Sequence, residues 1–171
     1  MVRDSFGRTI TLDRCATLSV PIVDDLAEMY DEFDPPGIAH GLPPVGESRI
    51  RDWLDVLSAG FHAVARYRGR IVGHAVLVPT EESAHELAIF VHQDYRKAGI
   101  GTTVLTEVLT MARRRDVPTV RLYVERSNDA AIGLYRSFGF EAEPSGPGEL
   151  EMRLPLDGES TDPLGSSGSS P

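Results

Sequence analysis

Val91-His92-Gln93-Asp94-Tyr95-Arg96-Lys97-Ala98-Gly99-Ile100-Gly101 carries the chain out of an apolar strand and into a helix, with two glycines at the crossing. Upstream, Ala84 to Val91 is almost continuously apolar, as the centre of a sheet requires. Downstream, Val104, Leu105, Val108, Met111 and Ala112 share one helical face between about residues 101 and 115. Arg113, Arg114 and Arg115 suit the carboxyl end of that helix, and Asp116 and Pro118 close it. Gly99 and Gly101, without Cβ atoms, let backbone N–H groups come close to an anion, and the helix field adds roughly 0.3 to 1 kcal/mol per charge. The stretch reads as a cradle for a pyrophosphate. It has neither the G-x-G-x-x-G of a dinucleotide fingerprint nor the Gly-Lys-Ser/Thr of a P-loop, and a glycine-rich turn with two exposed bases would use the same residues.

The elements around it follow from periodicity. Arg8 to Arg14 alternates as a strand, and Leu26, Met29, Tyr30 and Phe33 mark a helix with acids opposite. Asp34 to Gly46, rich in proline and glycine, is a long connecting loop. Ile50, Trp53, Leu54 and Leu57 mark a second helix, and Phe61–Tyr67 and Ile71–Val78 form a hairpin turned at Arg68-Gly69-Arg70. Val117 to Val124 is a strand, Ala131, Leu134, Tyr135 and Phe138 mark a short helix stopped by Gly139, and Leu150 to Leu154 is a last strand. The order is β-α-α-β-β-β-α-β-α-β, an α/β (α+β) arrangement with a central mixed sheet flanked by helices.

The chain of 171 residues fits one compact body, expected at 1–156, followed by a disordered acidic Gly/Ser/Pro tail at 157–171. No run of about 18 apolar residues could span a bilayer, and the amino-terminal segment lacks a signal-peptide core, so a cytoplasmic protein without membrane attachment is expected. Cys15 is the single cysteine, which rules out an internal disulfide or a multi-cysteine zinc site. The five histidines, His40, His62, His74, His85 and His92, have no metal-ligand spacing, and no metal is expected. A net charge of −9 argues against nucleic acid as a partner. Sixteen of the 17 bases are arginine, Lys97 being the exception; with the acid excess, this resembles the proteomes of salt-adapted archaea or other high-GC organisms.

The spacing R-x-x-G-x-G after a strand, followed by Asn128 and by Tyr135 with Arg136-Ser137-Phe138-Gly139-Phe140, resembles the GNAT superfamily of acyl-CoA-dependent N-acetyltransferases. The likeness includes the β-α-α-β-β opening, Ile71-Val72-Gly73 and the run from Arg126 to Tyr135. It implies acetyl-CoA as co-substrate and a small-molecule or peptide amine as acceptor, in a monomer or homodimer. It also implies strands splayed at the cofactor site, where backbone groups around Phe90 and Val91 receive the pantetheine arm. Arg96, Lys97, Ala98, Gly99, Ile100 and Gly101 would hold the pyrophosphate and Asn128 would reach the pantetheine, although Asn128 also reads as a helix cap.

Direct transfer needs a neutral amine, and a free alkylamine has a pKa of about 10.4, so a base must take a proton. Glu86 is the candidate base by this resemblance, with an ion pair to Arg121 as its structural alternative and His85 as an alternative base. Tyr135 is the implied acid toward the departing thiolate, and it also lies on the apolar stripe of its helix. An acyl-enzyme on Cys15 lacks a paired base in the sequence. A regulatory module that binds acyl-CoA without turnover is the competing function; it would need neither Glu86 nor Tyr135. The acids Asp24, Asp25, Glu28, Asp31, Glu32 and Asp34 crowd the first helix. They would either steer a cationic acceptor or form a solvated face.

Overall fold

A computed structural model describes residues 1–33, 44, 46–80 and 83–156. Its elements are β1 (Val2–Arg3), β2 (Thr9–Cys15), α1 (Val20–Asp31), α2 (Glu47–Leu57), β3 (Phe61–Tyr67) and β4 (Arg70–Pro79), followed by β5 (Ala84–Val91) and a 3-10 turn at Gln93–Tyr95. Then come α3 (Ile100–Arg114), β6 (Thr119–Glu125), α4 (Asp129–Ser137), β7 (Glu141–Pro144) and β8 (Glu149–Pro155). The architecture is mixed α/β. Most of the Asp34–Gly46 loop and all of the 157–171 tail lie outside the described residues. Among the described residues no helix is long and apolar enough to cross a membrane.

The chain forms two compact units that interleave along the sequence: Met1–Val78 with Leu87–Thr110, and Pro79–Glu86 with the chain from Met111 onward. In the first unit the strand order is β1-β2-β3-β4, continued by the second half of β5. β1, β2, β3 and β4 pair antiparallel in sequence, with registers such as Val2↔Ile10, Leu12↔Ala65 and Val64↔His74. The turn between β3 and β4 places Arg68 at φ 52° and Gly69 at φ 85°, the two left-handed residues that a tight hairpin matched to strand twist demands. Leu26, Met29, Tyr30 and Phe33 of α1 and Ile50 and Leu54 of α2 bury the face read from their spacing, packing with Val64, Ile71 and Phe90. Each such side chain contributes roughly 1.5 to 3 kcal/mol when fully buried.

In the second unit, the first residues of β5 run parallel to β6 with three registered pairs, Ala84↔Thr119, His85↔Val120 and Glu86↔Arg121. β6 is antiparallel to β8 along its whole length, and β7 closes the edge against β8. Val120, Leu122, Met152, Leu154 and Phe140 are buried there. β1 and β7 were absent from the periodicity reading. Two residues cannot show a period, and Glu-Ala-Glu-Pro is a polar edge strand ended by proline.

Two histidines lie fully buried in the first unit, His62 in β3 and His74 in β4, with rings stacked at 5.1 Å. The Tyr30 hydroxyl meets His74 Nδ1 at 2.5 Å and His74 Nε2 meets His62 Nδ1 at 2.9 Å. With the tyrosine donating, His74 Nε2–H is left to donate to His62 Nδ1, so the His74 ring is satisfied while neutral, whereas His62 Nε2 is buried without a hydrogen-bond partner. Burial pushes His62 down to about 4 and His74 well below the ordinary histidine range. An unfolded histidine takes up its proton near pH 6.5, whereas these stay neutral, so stability is full above pH 6.5 and falls as pH drops toward 4. The unfolding free energy should therefore be lower at pH 5 than at pH 7, by about 2 kcal/mol from His62 alone, read as a fall in the urea midpoint. His62→Leu should flatten that part of the slope.

Candidate active site

In the first unit, the end of β5 is fastened before the chain turns. The His92 N–H donates to the Val72 carbonyl at 2.9 Å, and the Arg96 Nε–H folds back to the Val91 carbonyl at 2.9 Å. His92 Nδ1 accepts from the Asp94 N–H at 3.1 Å, capping the 3-10 turn, and its Nε2 lies 2.9 Å from Glu32 Oε1. The chain then reverses through Lys97 at φ 60° and Gly99 at φ 89°. A β-carbon on Gly99 would meet only Ser5 Oγ, at 3.7 Å, so backbone conformation rather than space makes this position a glycine.

Gly99 closes the first turn of α3, its carbonyl accepting from the Thr103 N–H at 3.1 Å and the Thr103 hydroxyl at 2.9 Å. The N–H groups of Gly99, Ile100, Gly101 and Thr102 precede any helical acceptor, so they form the donor set of a helix amino terminus. Ala98 and Ile100 are buried and anchor the loop, while Arg96 and Lys97 are exposed. Gly73 of β4 makes room for this seat, since a β-carbon there would stand 2.7 Å from Ile100 Cγ2. The Phe90 ring belongs to the core, with centroids 5.4 Å from both Tyr30 and Trp53. That leaves its backbone to serve the strand edge. The Val91 carbonyl is already engaged by Arg96.

The second unit holds the other candidates. Glu86 sits beside Arg121 in the parallel register, Oε1 to the guanidinium at 3.9 Å, with its side chain 47% exposed. Glu86 is open to water where Ala84 and Leu87 are buried. Asn128 is the amino-terminal cap of α4, its Oδ1 accepting from the Ala131 N–H at 3.1 Å, which leaves the side-chain NH2 for other partners. Tyr135 is buried against Phe140, at 5.7 Å between centroids, and burial pushes its phenol up to about 12. Its carbonyl receives the Phe138 and Phe140 N–H groups as the helix closes over Gly139 at φ 99°, so helix termination fixes where the ring stands.

Cys15 is buried, and burial together with Asp13 pushes its thiol up, opposite to the shift a nucleophilic cysteine needs. The first helix is not a bare acidic rim. Asp24 pairs with Arg51, Asp25 with Arg66, and Glu28 and Glu32 with Arg70. The Glu32–His92 contact and the Tyr30–His74–His62 chain escaped the sequence reading because each joins residues far apart in the chain.

Comparison with known proteins gives these features a setting. The model of the acetyltransferase (GNAT) family matches residues 23–140. The mycothiol acetyltransferase of Acidimicrobium ferrooxidans is 37% identical over 108 residues, covering 60% of this chain and 34% of that protein. The chain spans between 34% and 56% of the length of three curated relatives that it matches. The ribosomal-protein-alanine N-acetyltransferase of Brucella melitensis superposes with a TM-score of 0.67 at 25% identity, covering 86% of this chain and 99% of that one. YncA of Salmonella typhimurium, solved with its cofactor acetyl-CoA, superposes at 0.70 with 19% identity, covering 87% and 95%.

The capping role of Asn128 is open to test by substitution. Asn128→Ala should lower stability by about 1 kcal/mol through the lost cap, whereas Asn128→Asp should hold the urea midpoint because aspartate caps as well.

Proposed function

Because the chain belongs to the acetyltransferase (GNAT) family, we propose that it transfers acetyl from acetyl-CoA directly to a primary amine within a ternary complex. The observation that carries this reading is the turn from β5 into α3. Left-handed backbone at Lys97 and Gly99 opens a helix whose first N–H groups have no helical acceptor. Those groups, from Gly99 to Thr102, would bind the pyrophosphate, with Arg96 and Lys97 adding positive charge. Backbone groups around Phe90 and Val91, at the end of β5, would receive the pantetheine arm. Acetyl-CoA in the YncA structure supports the choice of co-substrate. We assign the domain to residues 1–156.

Glu86 takes the proton from the acceptor ammonium, directly or through water, and its exposure lets it pass that proton to solvent. The freed amine nitrogen attacks the thioester carbonyl carbon, the carbon–sulfur bond breaks, and Tyr135 protonates the departing sulfur. The phenol recovers its proton from the nitrogen as the amide forms. A phenol held near 12 stays protonated at neutral pH, as this role requires. Asn128 can hold α4 with its Oδ1 and reach the pantetheine with its NH2. The burial of Cys15 favours direct transfer over an acyl-enzyme. Similar proteins carry the names mycothiol acetyltransferase and ribosomal-protein-alanine N-acetyltransferase. A primary amine on a peptide or small molecule is the class proposed here.

The test follows thiol release from acetyl-CoA with a panel of amines and peptides. Release should require an acceptor; CoA binding with no release from any acceptor would instead indicate a regulatory module. Gly99→Val should raise KM for acetyl-CoA about tenfold or more, and Lys97→Ala less than about threefold. Tyr135→Phe should lower kcat about a hundredfold with acetyl-CoA affinity retained, and Glu86→Gln should lose most at the acidic end of the pH profile.

A further inference from the structure

We propose that the amino-terminal hairpin, β1 and β2 with its Asp4–Gly7 tip, is a clamp that aims the anion cradle, with Ser5 as its positioning residue. The inference rests on the cradle reading above and concerns a segment outside the family match, which begins at residue 23.

Ser5 directs both of its donors at one atom. Its N–H lies 2.9 Å and its hydroxyl 3.1 Å from the Ala98 carbonyl oxygen. In a trans peptide the carbonyl of one residue and the N–H of the next point in opposite directions. Holding the Ala98 carbonyl toward the hairpin therefore turns the Gly99 N–H away from it, on the side where an anion would be received. Without that hold, the glycine leaves this peptide plane able to rotate, because Gly99 tolerates either sign of φ.

The tip is built to stay rigid. Asp4 Oδ1 accepts from the Phe6 and Arg8 N–H groups, both at 2.9 Å, and Oδ2 takes Arg8 Nε at 2.6 Å. The Gly7 N–H returns to the Asp4 carbonyl at 3.0 Å, and Arg3 bonds the Gly7 carbonyl at 2.8 Å. A second attachment lies on the other side of the loop. The Arg8 guanidinium stands 4.5 Å from the centroid of Tyr95, in the turn just ahead of Arg96, and 5.7 Å from that of Tyr67. The segment from Tyr95 to Gly99 is thus gripped at both ends by one hairpin, and the Asp4 carboxylate orients both grips.

Calorimetric titration with CoA, alongside acetyl-CoA kinetics and thermal unfolding, tests the clamp in the full chain. Ser5→Ala should weaken CoA about fivefold, the worth of one ordinary hydrogen bond, raising KM for acetyl-CoA while kcat holds. Ser5→Thr, which keeps the hydroxyl, should restore affinity, and Arg8→Met should weaken CoA by releasing the other grip. Thr11→Ala, solvent-facing in β2, should leave affinity unchanged. CoA binding by Ser5→Ala equal to the parent overturns the clamp alone. So does a loss of affinity that follows a fall in kcat and melting temperature and is not restored by Ser5→Thr. A parent protein that binds no CoA overturns the cradle reading and this inference with it.

Discussion

A strand that ends in the sheet must become a helix within a few residues, and here the backbone does so only by entering left-handed conformation twice, at Lys97 and at Gly99. For glycine the conformation is free of Cβ conflict; for lysine it costs roughly 1 kcal/mol or more. Neighbouring contacts must supply that difference. Ala98 is buried between the two, Ile100 is buried just after them, and Gly73 gives up its own side chain to let Ile100 in. The direction of α3 and the set of N–H groups without a helical acceptor at its start both follow from this one turn.

Charge is arranged differently from what composition alone suggests. An excess of acids concentrated on α1 would repel itself, yet Asp24, Asp25, Glu28 and Glu32 each face an arginine from α2, β3 or β4. Most of these groups are well exposed, so each pair contributes about 0 to 1 kcal/mol. Their effect is positional. Arg66 bridges Asp13 of β2 and Asp25 of α1, and Arg70 and His92 converge on Glu32 at the end of the same helix. The α1 surface therefore carries less unbalanced negative charge than its sequence count suggests.

What the sequence made legible was whatever is encoded locally. The faces of α1, α2 and α3, the β3–β4 turn and the glycine crossing each depend on residues within one or two turns of each other, and each was readable from spacing. Glu86 shows the limit of that reading. Alternation along β5 gives the side on which a side chain lies, but exposure depends on what packs there, and only coordinates supply it. The buried histidine chain and the Ser5–Ala98 contact lie further out of reach. The latter joins residues 93 apart, and Asp-Ser-Phe-Gly-Arg carries only a generic turn signal. β1 itself was unreadable because two residues have no period.

Burial of Tyr135 sets a condition on any chemistry assigned to it. At about 12 its phenol is a weaker acid than an ordinary tyrosine, and handing a proton to a thiolate of ordinary pKa, about 8.5, would run uphill by several kcal/mol. The transfer becomes balanced only if the leaving sulfur is desolvated too, because desolvation raises the proton affinity of any anion, thiolate and phenolate alike. The same apolar surroundings that weaken the tyrosine as an acid would strengthen a sulfur beside it as a base. An acid of this kind is silent toward water and active only toward a leaving group as dry as itself. Its position must therefore be fixed, and the closing of α4 over Gly139, with both Phe138 and Phe140 N–H groups drawn onto the Tyr135 carbonyl, fixes it.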